Sequence, residues 1–296
     1  MAKEYGRIDF RDQISRNKRN SIFLIIIISL FFVVLGYFIS FIFDPSVFFL
    51  IMIISIIISM LYTVFSYYNS GKIAIASVGA KEASRTQYPQ YYRSVEGLTI
   101  ASGLPMPKLY IMSSNQINAF ASGRNPENAV ICVTTGALEK LDKYELEGVL
   151  AHELSHVANY DIRFMTLTAV MVGMVAIAAE IFLRSLWMKN SDSDSKAGII
   201  LLILGVVFAI LAPILVQLVQ LTISRKREYV ADASAVRFTR YPKGLIGALK
   251  KIKSDSSSSD KNVTKAIAPL FFANPFKDLT STHPPIERRI EILERM

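Results

Sequence analysis

Two long apolar runs near the start of the chain constrain its fold more than any other feature. Ser21–Phe43 carries no charged residue, and Val47–Phe65 is a second run of similar length, separated from the first by Asp44 and Pro45. About 20 such residues, wound as a helix, cross a hydrocarbon core about 30 Å thick. We therefore expect a tight transmembrane hairpin. A cleaved signal peptide has an apolar core of only about 7 to 15 residues, so we expect no cleavage here.

The composition agrees with a membrane protein and excludes several other classes. Hydrophobic residues make up 52% of the 296 residues, and the mean hydropathy is +0.36. The net charge of +9 comes without a basic and aromatic motif, so it favours cytoplasmic flanks beside anionic lipid over a nucleic-acid partner. Cys132 is the single cysteine, so we expect no disulfide framework, and metal ligands have to come from His, Asp and Glu.

Basic residues on both sides of the first hairpin predict its orientation. Arg16, Lys18 and Arg19 precede the first run and Lys72 follows the second, whereas the connecting turn carries no positive charge. Segments next to transmembrane helices that are rich in Lys and Arg usually lie in the cytoplasm. We therefore expect a multi-pass protein of the cell (plasma) membrane, whose segment 66–163 faces the cytoplasm.

Two later apolar runs, Phe164–Leu183 and Ala197–Ile223, are less uniform than the first pair. The third run contains Glu180, and the fourth contains Pro213 and Gln217. Polar side chains inside a membrane helix are costly and usually face protein or a water-filled cavity. These runs therefore form either a second transmembrane hairpin or a hairpin partly buried in protein.

The segment between the hairpins combines helical and β-rich patterns. Residues 81–103 are expected to be helical. Three short β-rich stretches follow, bounded by Pro, Asn and Gly: Lys108–Met112, Ile117–Ala121 and Ala129–Thr134. Such stretches predict a small sheet beside helices. The Ser-rich residues 253–261 predict a surface loop.

A predicted helix carries the most specific motif of the chain. Asp142 and Glu145 match a capping box with Asp142 as the cap. This predicts a helix that begins near Lys143 and contains His-Glu-Leu-Ser-His at His152–His156. Residues four apart share a helical face, so both imidazoles can reach one Zn²⁺ while Glu153 projects beside them as the general base. The alternative is two surface histidines, although two of the chain's three histidines then have ligand spacing by coincidence.

A catalytic zinc site needs a third protein ligand, and Glu228 is the best candidate. Glu228 and Asp232 share one face of a second predicted helix. Asp232 is placed to accept the other ring N–H of His152, as carboxylates usually do beside a bound zinc. The alternative is a solvated charged face with Arg225 and Arg227.

Together these features resemble the HtpX family of membrane metalloproteases, which is related to the CAAX prenyl endopeptidases. The resemblance covers nearly the whole chain: the first hairpin, the His-Glu-Leu-Ser-His helix, the second apolar pair, Arg-Glu-Tyr-Val-Ala-Asp at 227–232, and Thr-His-Pro-Pro at 282–285 followed by Arg289. It implies one Zn²⁺ per chain, with roles for His152, His156, Glu228, Glu153 and Asp232 as above. It also implies misfolded or membrane-protein substrates in quality control and stress response.

Asn118-Ala119-Phe120-Ala121 further resembles the edge strand with which thermolysin-like proteases bind substrate backbone. An edge strand offers N–H and C=O groups that can hold an extended peptide with little regard to its sequence. The alternative is an interior strand.

The third histidine, His283, lies directly before Pro284 and Pro285. It is either a turn residue in a loop that the two proline rings stiffen, or a donor to the oxyanion that develops during hydrolysis.

We therefore expect an α+β membrane protein, mostly helical, with two transmembrane hairpins around a zincin-type, gluzincin-like catalytic domain that has a small β-sheet. The expected segments are a tail and hairpin at 1–66, the first catalytic half at 67–163, the second apolar hairpin at 164–223 and the second catalytic half at 224–296.

The expected activity is zinc-dependent endopeptidase hydrolysis by a metal-activated water, without a covalent intermediate. The expected partners are protein or peptide substrates and the lipid bilayer. Two alternatives stay open: a proteolytically silent membrane scaffold with a structural zinc site, and a transporter, which Glu180 inside an apolar run would suit.

Overall fold

The computed structural model describes residues 10–40, 46, 48–171, 173, 225–255, 263, 267–275 and 284–296. Within these ranges the helices are α1 (Phe10–Ser40), α2 (Phe48–Ser77), α3 (Pro89–Ser102), α4 (Thr135–Lys140), α5 (Lys143–Ala158), α6 (161–171), α7 (Arg225–Thr239), α8 (Pro242–Ser254) and α9 (Ile286–Leu293). The strands are β1 (Lys81–Glu82), β2 (Lys108–Met112), β3 (Ala119–Gly123) and β4 (Ala129–Thr134). Short 3₁₀ turns at Pro126–Asn128 and Ala268–Leu270 complete the description.

The four strands form one mixed sheet in the order β1-β2-β4-β3. β2 pairs with β4 in parallel, whereas β1 and β3 pair antiparallel with their neighbours. β3 therefore lies at an edge. The predictions for β2 and β4 are confirmed to the residue, while β3 runs from Ala119 to Gly123 rather than from Ile117 to Ala121. The backbone N–H of Asn118 instead donates to the Thr134 hydroxyl, which holds this residue in the entry turn.

The predicted helix over 81–103 is wrong at its start. Lys81 and Glu82 pair with Ile111 and Tyr110 of β2 instead. The helix begins only at Pro89, because a proline is well placed in the first helical turn and disfavours helical geometry in the residue before it.

α5 is the central helix of the described residues after Ser77, and its predicted start is confirmed. Asp142 accepts the Glu145 backbone N–H while the Glu145 side chain accepts the Asp142 N–H, completing the capping box. The helix packs against α3, β3, α7 and α8. Gly148 allows close contact with α8, since a Cβ there would lie 2.6 Å from the backbone nitrogen of Leu245. Segments on both sides of residues 174–224 thus share one core.

The two long N-terminal helices pack against each other. The Ser59 hydroxyl donates to the Ser29 carbonyl oxygen at 3.1 Å, and the hydroxyls of Ser29 and Thr63 lie 3.0 Å apart. Small hydroxyl residues at a helix interface are common in membrane proteins, because they allow close approach. Large apolar side chains on the other faces stay exposed, among them Phe23, Ile26, Phe49, Ile53 and Leu61.

Among the described residues, Phe48–Ser77 is the one helix long and apolar enough to cross a membrane by the usual criteria of length and hydropathy. α6, the start of the third apolar run, packs on this pair: the Tyr62 hydroxyl donates to the Met171 carbonyl oxygen at 2.7 Å. Residues 41–45 and 174–224, which include Glu180, lie outside the described residues. The two complete hairpins therefore stay a prediction.

Candidate metal centre

Three buried side chains converge between α5 and α7. The Nε2 atoms of His152 and His156 are 3.2 Å apart. The Glu228 carboxylate lies 3.5 Å from the first Nε2 and 3.6 Å from the second. All three ligand atoms lie within 4.8 Å of one another, a separation suited to one metal ion. The structure thus brings together the three residues that the sequence proposes as ligands.

Each imidazole is oriented by a carboxylate on its other nitrogen. His152 Nδ1 lies 2.9 Å from Asp232 Oδ1, and His156 Nδ1 lies 3.0 Å from Asp161 Oδ2. A carboxylate can only accept, so each Nδ1 donates its proton and the neutral ring leaves a lone pair on Nε2. Two such lone pairs at 3.2 Å, beside the charge of Glu228, repel unless a cation lies between them. The donor set therefore fits a divalent metal such as zinc.

The electrostatics of His156 point the same way. Burial lowers the pKa of this histidine, but the hydrogen bond to Asp161 and the charges of Glu228, Asp161 and Glu153 outweigh it and raise the pKa to about 9. The surroundings therefore favour positive charge at the imidazole, and a bound metal cation would supply it.

Asp161 was missed by the sequence analysis. It begins α6, five positions after His156, and Tyr160 before it has a positive φ of 57°. That turn brings Asp161 back beside the histidine. An acid just past the end of a metal-binding helix was a signal that could have identified it.

A buried network behind the ligands holds both carboxylates. Arg289 donates from Nε to Asp232 Oδ2 at 2.9 Å and from Nη2 to Oδ1 at 2.7 Å. Burial alone would raise the pKa of Asp232, but Arg289 and His152 lower it, so the carboxylate stays ionised. Asn17 of α1 donates from Nδ2 to Asp161 Oδ1 at 2.6 Å and to the Asn159 carbonyl oxygen at 3.1 Å. The sequence analysis assigned no role to Asn17.

Glu153 lies on α5 between the two histidines and next to the sheet edge. Its Oε2 accepts the backbone N–H of Ala121 at 2.7 Å, and the residue is 1% exposed. Burial raises the pKa of this carboxyl, while the nearby charges of His152 and His156 act in the opposite direction. A carboxylate with a raised pKa is a stronger proton acceptor, which suits general-base chemistry.

The proposed substrate-binding residues Asn118, Ala119, Phe120 and Ala121 lie at the start of the edge strand β3 and beside Glu153. Their outer side contacts another part of the chain: the backbone N–H of Phe272 donates to the Ala119 carbonyl oxygen at 2.8 Å. The remaining sequence candidate, His283, lies outside the described residues.

The chain is similar to known peptidases over most of its length. Peptidase family M48 matches residues 85–296. The Protease HtpX homolog of Dictyoglomus thermophilum is 41% identical over 291 residues, covering 97% of this chain and 95% of that protein. The one from Thermoanaerobacter pseudethanolicus is 40% identical over 290 residues, covering 95% and 96%. The crystal structure of S. mikatae Ste24p is 18% identical with a TM-score of 0.47, over 95% of this chain and 66% of that one.

The family match covers most of the chain, including the helices that carry His152, His156 and Glu228. The two relatives extend the likeness over nearly the full length, including the apolar N-terminal helices. The chain therefore belongs to peptidase family M48 and is a metalloendopeptidase related to the HtpX proteases.

Proposed function

We propose that this protein is a zinc-dependent membrane endopeptidase in which His152, His156 and Glu228 hold one Zn²⁺ and Glu153 is the general base. The observation that carries the proposal is the pair of Nε2 atoms 3.2 Å apart. Each ring is tied through Nδ1 to a carboxylate, and Glu228 lies beside both rings.

When bound, zinc lowers the pKa of a water to about 7 and polarises the carbonyl of the scissile peptide bond. The Glu153 carboxylate takes the proton from the attacking water and later passes it to the leaving amine nitrogen. Asp232 and Asp161 hold the imidazoles in the tautomer that presents Nε2 to the metal. No covalent bond to the protein forms in this scheme.

Substrate binding is proposed at the edge strand. Asn118, Ala119, Phe120 and Ala121 would add the substrate backbone to the sheet as one more strand, which suits a protease of broad specificity. His283 is proposed to donate a hydrogen bond to the developing oxyanion. The next residue, Pro284, lines a cavity together with Phe272 and Arg289, which supports this proposal.

The proposed setting is the cell membrane, with the catalytic part facing the cytoplasm and two hairpins crossing the bilayer. The basic flanks of the first hairpin and the exposed apolar faces of α1 and α2 support this topology. Misfolded or membrane proteins are the proposed substrates, in quality control under stress. An active site close to the membrane surface would be accessible to misfolded proteins and to membrane proteins.

The decisive experiment compares wild type with Glu153→Gln for zinc content and for cleavage of casein or a membrane protein. The amide keeps the ligands intact but cannot accept the proton, so zinc should stay bound while proteolysis is lost. Glu139→Gln, an exposed glutamate on α4, is the control and should keep both. Cleavage by Glu153→Gln at the wild-type rate would show that the base is wrongly assigned.

The same experiment separates the proposal from a proteolytically silent scaffold with a structural zinc. A scaffold would bind zinc in wild type and in Glu153→Gln and would cleave nothing in either. Three protein ligands leave a fourth position open for water, and Glu153 beside them supplies a base, which together favour the enzyme.

A further inference from the structure

A short segment of this chain lies along the outer side of the edge strand. Phe271 forms an antiparallel bridge with Phe120. The N–H of Phe272 donates to the Ala119 carbonyl oxygen at 2.8 Å. We call Phe271, Phe272 and Ala273 the cleft segment.

The side chain of Asn118 strengthens this pairing by forming hydrogen bonds with the backbone of the next residue of the segment, Ala273. Its Oδ1 accepts the Ala273 N–H at 3.0 Å, and its Nδ2 donates to the Ala273 carbonyl oxygen at 2.8 Å. All of these bonds go to backbone groups. An extended peptide of any sequence could therefore make them in the same place.

Phe272 extends from the segment to the candidate metal centre. Its ring lies edge-on to the His152 ring, with centroids 4.8 Å apart and planes at 87°. The Arg289 guanidinium lies 4.6 Å from the centroid of the same ring, and the side chain is 2% exposed. An aromatic ring thus fills a pocket between a proposed metal ligand and the arginine that holds Asp232.

The cleft segment and a substrate cannot occupy the edge of β3 and the pocket beside His152 at the same time. The cleft segment already lies along β3, where the Phe272 N–H bonds the Ala119 carbonyl oxygen, and one ring already fills the pocket beside His152. A substrate that adds to β3 therefore has to replace the cleft segment.

We infer that the cleft segment occupies the path of the substrate backbone, that Phe272 marks a pocket for a large apolar or aromatic substrate side chain, and that the segment leaves before cleavage. The inference rests on the proposed function, since it assumes that substrate binds to β3. It also specifies the substrate residue beside the metal centre, which has to be large and apolar to fill the pocket that Phe272 leaves.

A cavity lies next to the cleft segment, where a substrate could enter as the segment leaves. Its volume is about 290 Å³, and it is lined by Phe272, Ala273, Asn118, Ile252 and Arg289 among others. This cavity leaves room beside the segment for a substrate residue next to the pocket.

The test is a reversible disulfide that joins the cleft segment to β3. Antiparallel bridge partners have Cα atoms about 4.5 to 5.5 Å apart, within the range that a disulfide spans. Phe120→Cys with Phe271→Cys, in full-length protein in detergent, would join the two. Cys132 is the register partner of Phe120 on β4, so the background carries Cys132→Ala. Each single variant, treated with the same oxidant, shows the effect of the substitution without the disulfide.

Oxidation of the double variant is expected to reduce cleavage of an unfolded protein substrate to the level of Glu153→Gln, with zinc retained. A phosphine reductant should restore the rate of the reduced double variant. If the cross-linked protein cleaves at the reduced rate, the segment does not need to move and the inference is wrong. If wild type itself cleaves nothing, the proposed function fails instead.

A second measurement needs no cysteine and no change to the segment. Hydrogen exchange of the Phe272 amide is followed in Glu153→Gln with and without a peptide that has Phe at its central position, and with the same peptide carrying Asp there. The Phe peptide should speed exchange, because it displaces the segment, while the Asp peptide should have a weaker effect at equal concentration. Unchanged or slower exchange with the Phe peptide would contradict displacement.

Discussion

Asn17 and Asp161, which are far apart in the chain, are joined by a 2.6 Å hydrogen bond from the Asn17 amide nitrogen to one carboxylate oxygen. The other oxygen of Asp161 accepts from His156. Asn17 is 1% exposed and lies on α1, the helix that continues into the first apolar run. The N-terminal helix is therefore part of the support of the metal centre as well as a candidate membrane anchor.

Asn17→Ala is expected to weaken zinc binding by up to about tenfold, because Asn17 holds Asp161, and loss of a residue that itself orients a ligand typically costs about 10- to 100-fold in metal affinity. Chelator competition at equilibrium measures the change. In an Asp161→Ala background the same substitution should add little, since both act through His156. Arg19→Ala, an exposed neighbour on α1, is the control, and an Asn17→Ala affinity equal to that of the control would contradict the coupling.

Glu228→Ala should lower zinc content and proteolysis together, in contrast to Glu153→Gln, because it removes a proposed metal ligand rather than the base. Metal analysis of the purified protein and a cleavage assay on the same sample measure both. Lys226→Ala changes an exposed residue on the same helix and should leave both intact. Full zinc occupancy in Glu228→Ala would rule out its role as a ligand.

Arg289→Ala should lower the free energy of unfolding more than alanine substitutions at neighbouring positions do. Arg289 is 1% exposed and bonds both oxygens of Asp232, so its loss leaves a buried carboxylate without its cation. Removing one partner of a buried pair costs about 3–5 kcal/mol in the free energy of unfolding. Arg288→Ala, an exposed arginine on α9, should cost about 0.5 kcal/mol or less. Thermal unfolding in detergent compares them, and equal losses would deny Arg289 a special role.

His283→Phe should reduce kcat by about 10² to 10³, with KM and zinc content little changed, if His283 donates to the oxyanion. Steady-state kinetics and metal analysis of the folded variant provide the measurement. A variant that keeps its metal and most of its kcat would assign His283 to the turn before Pro284 and Pro285 alone.

The predicted topology places residue 44 outside the cell and the catalytic part in the cytoplasm. In a Cys132→Ala background, Asp44→Cys should react with a membrane-impermeant thiol reagent in sealed cells, whereas Asn125→Cys should react only after lysis. Labelling of position 125 from outside would invert the orientation.

The sequence alone determined those elements whose signals are local. The capping box of Asp142 and Glu145 located the start of α5, since it involves residues one helical turn apart. The β-rich stretches between turn residues gave β2 and β4 their bounds. The spacing of His152 and His156 placed both imidazoles on one face, because helical periodicity does not depend on the rest of the fold.

Tertiary structure decided which distant residues support and occupy the site. Asn17 reaches it because α1 contacts the turn after α5, and Arg289 reaches it because α9 packs against α7 and α8. The cleft segment likewise pairs with β3. No local pattern encodes such contacts, since they depend on how helices and strands pack across long sequence separations. The ligand spacing could therefore be predicted from the sequence, whereas the contact of Asn17 with Asp161 and the position of the Phe272 ring beside His152 were set by packing.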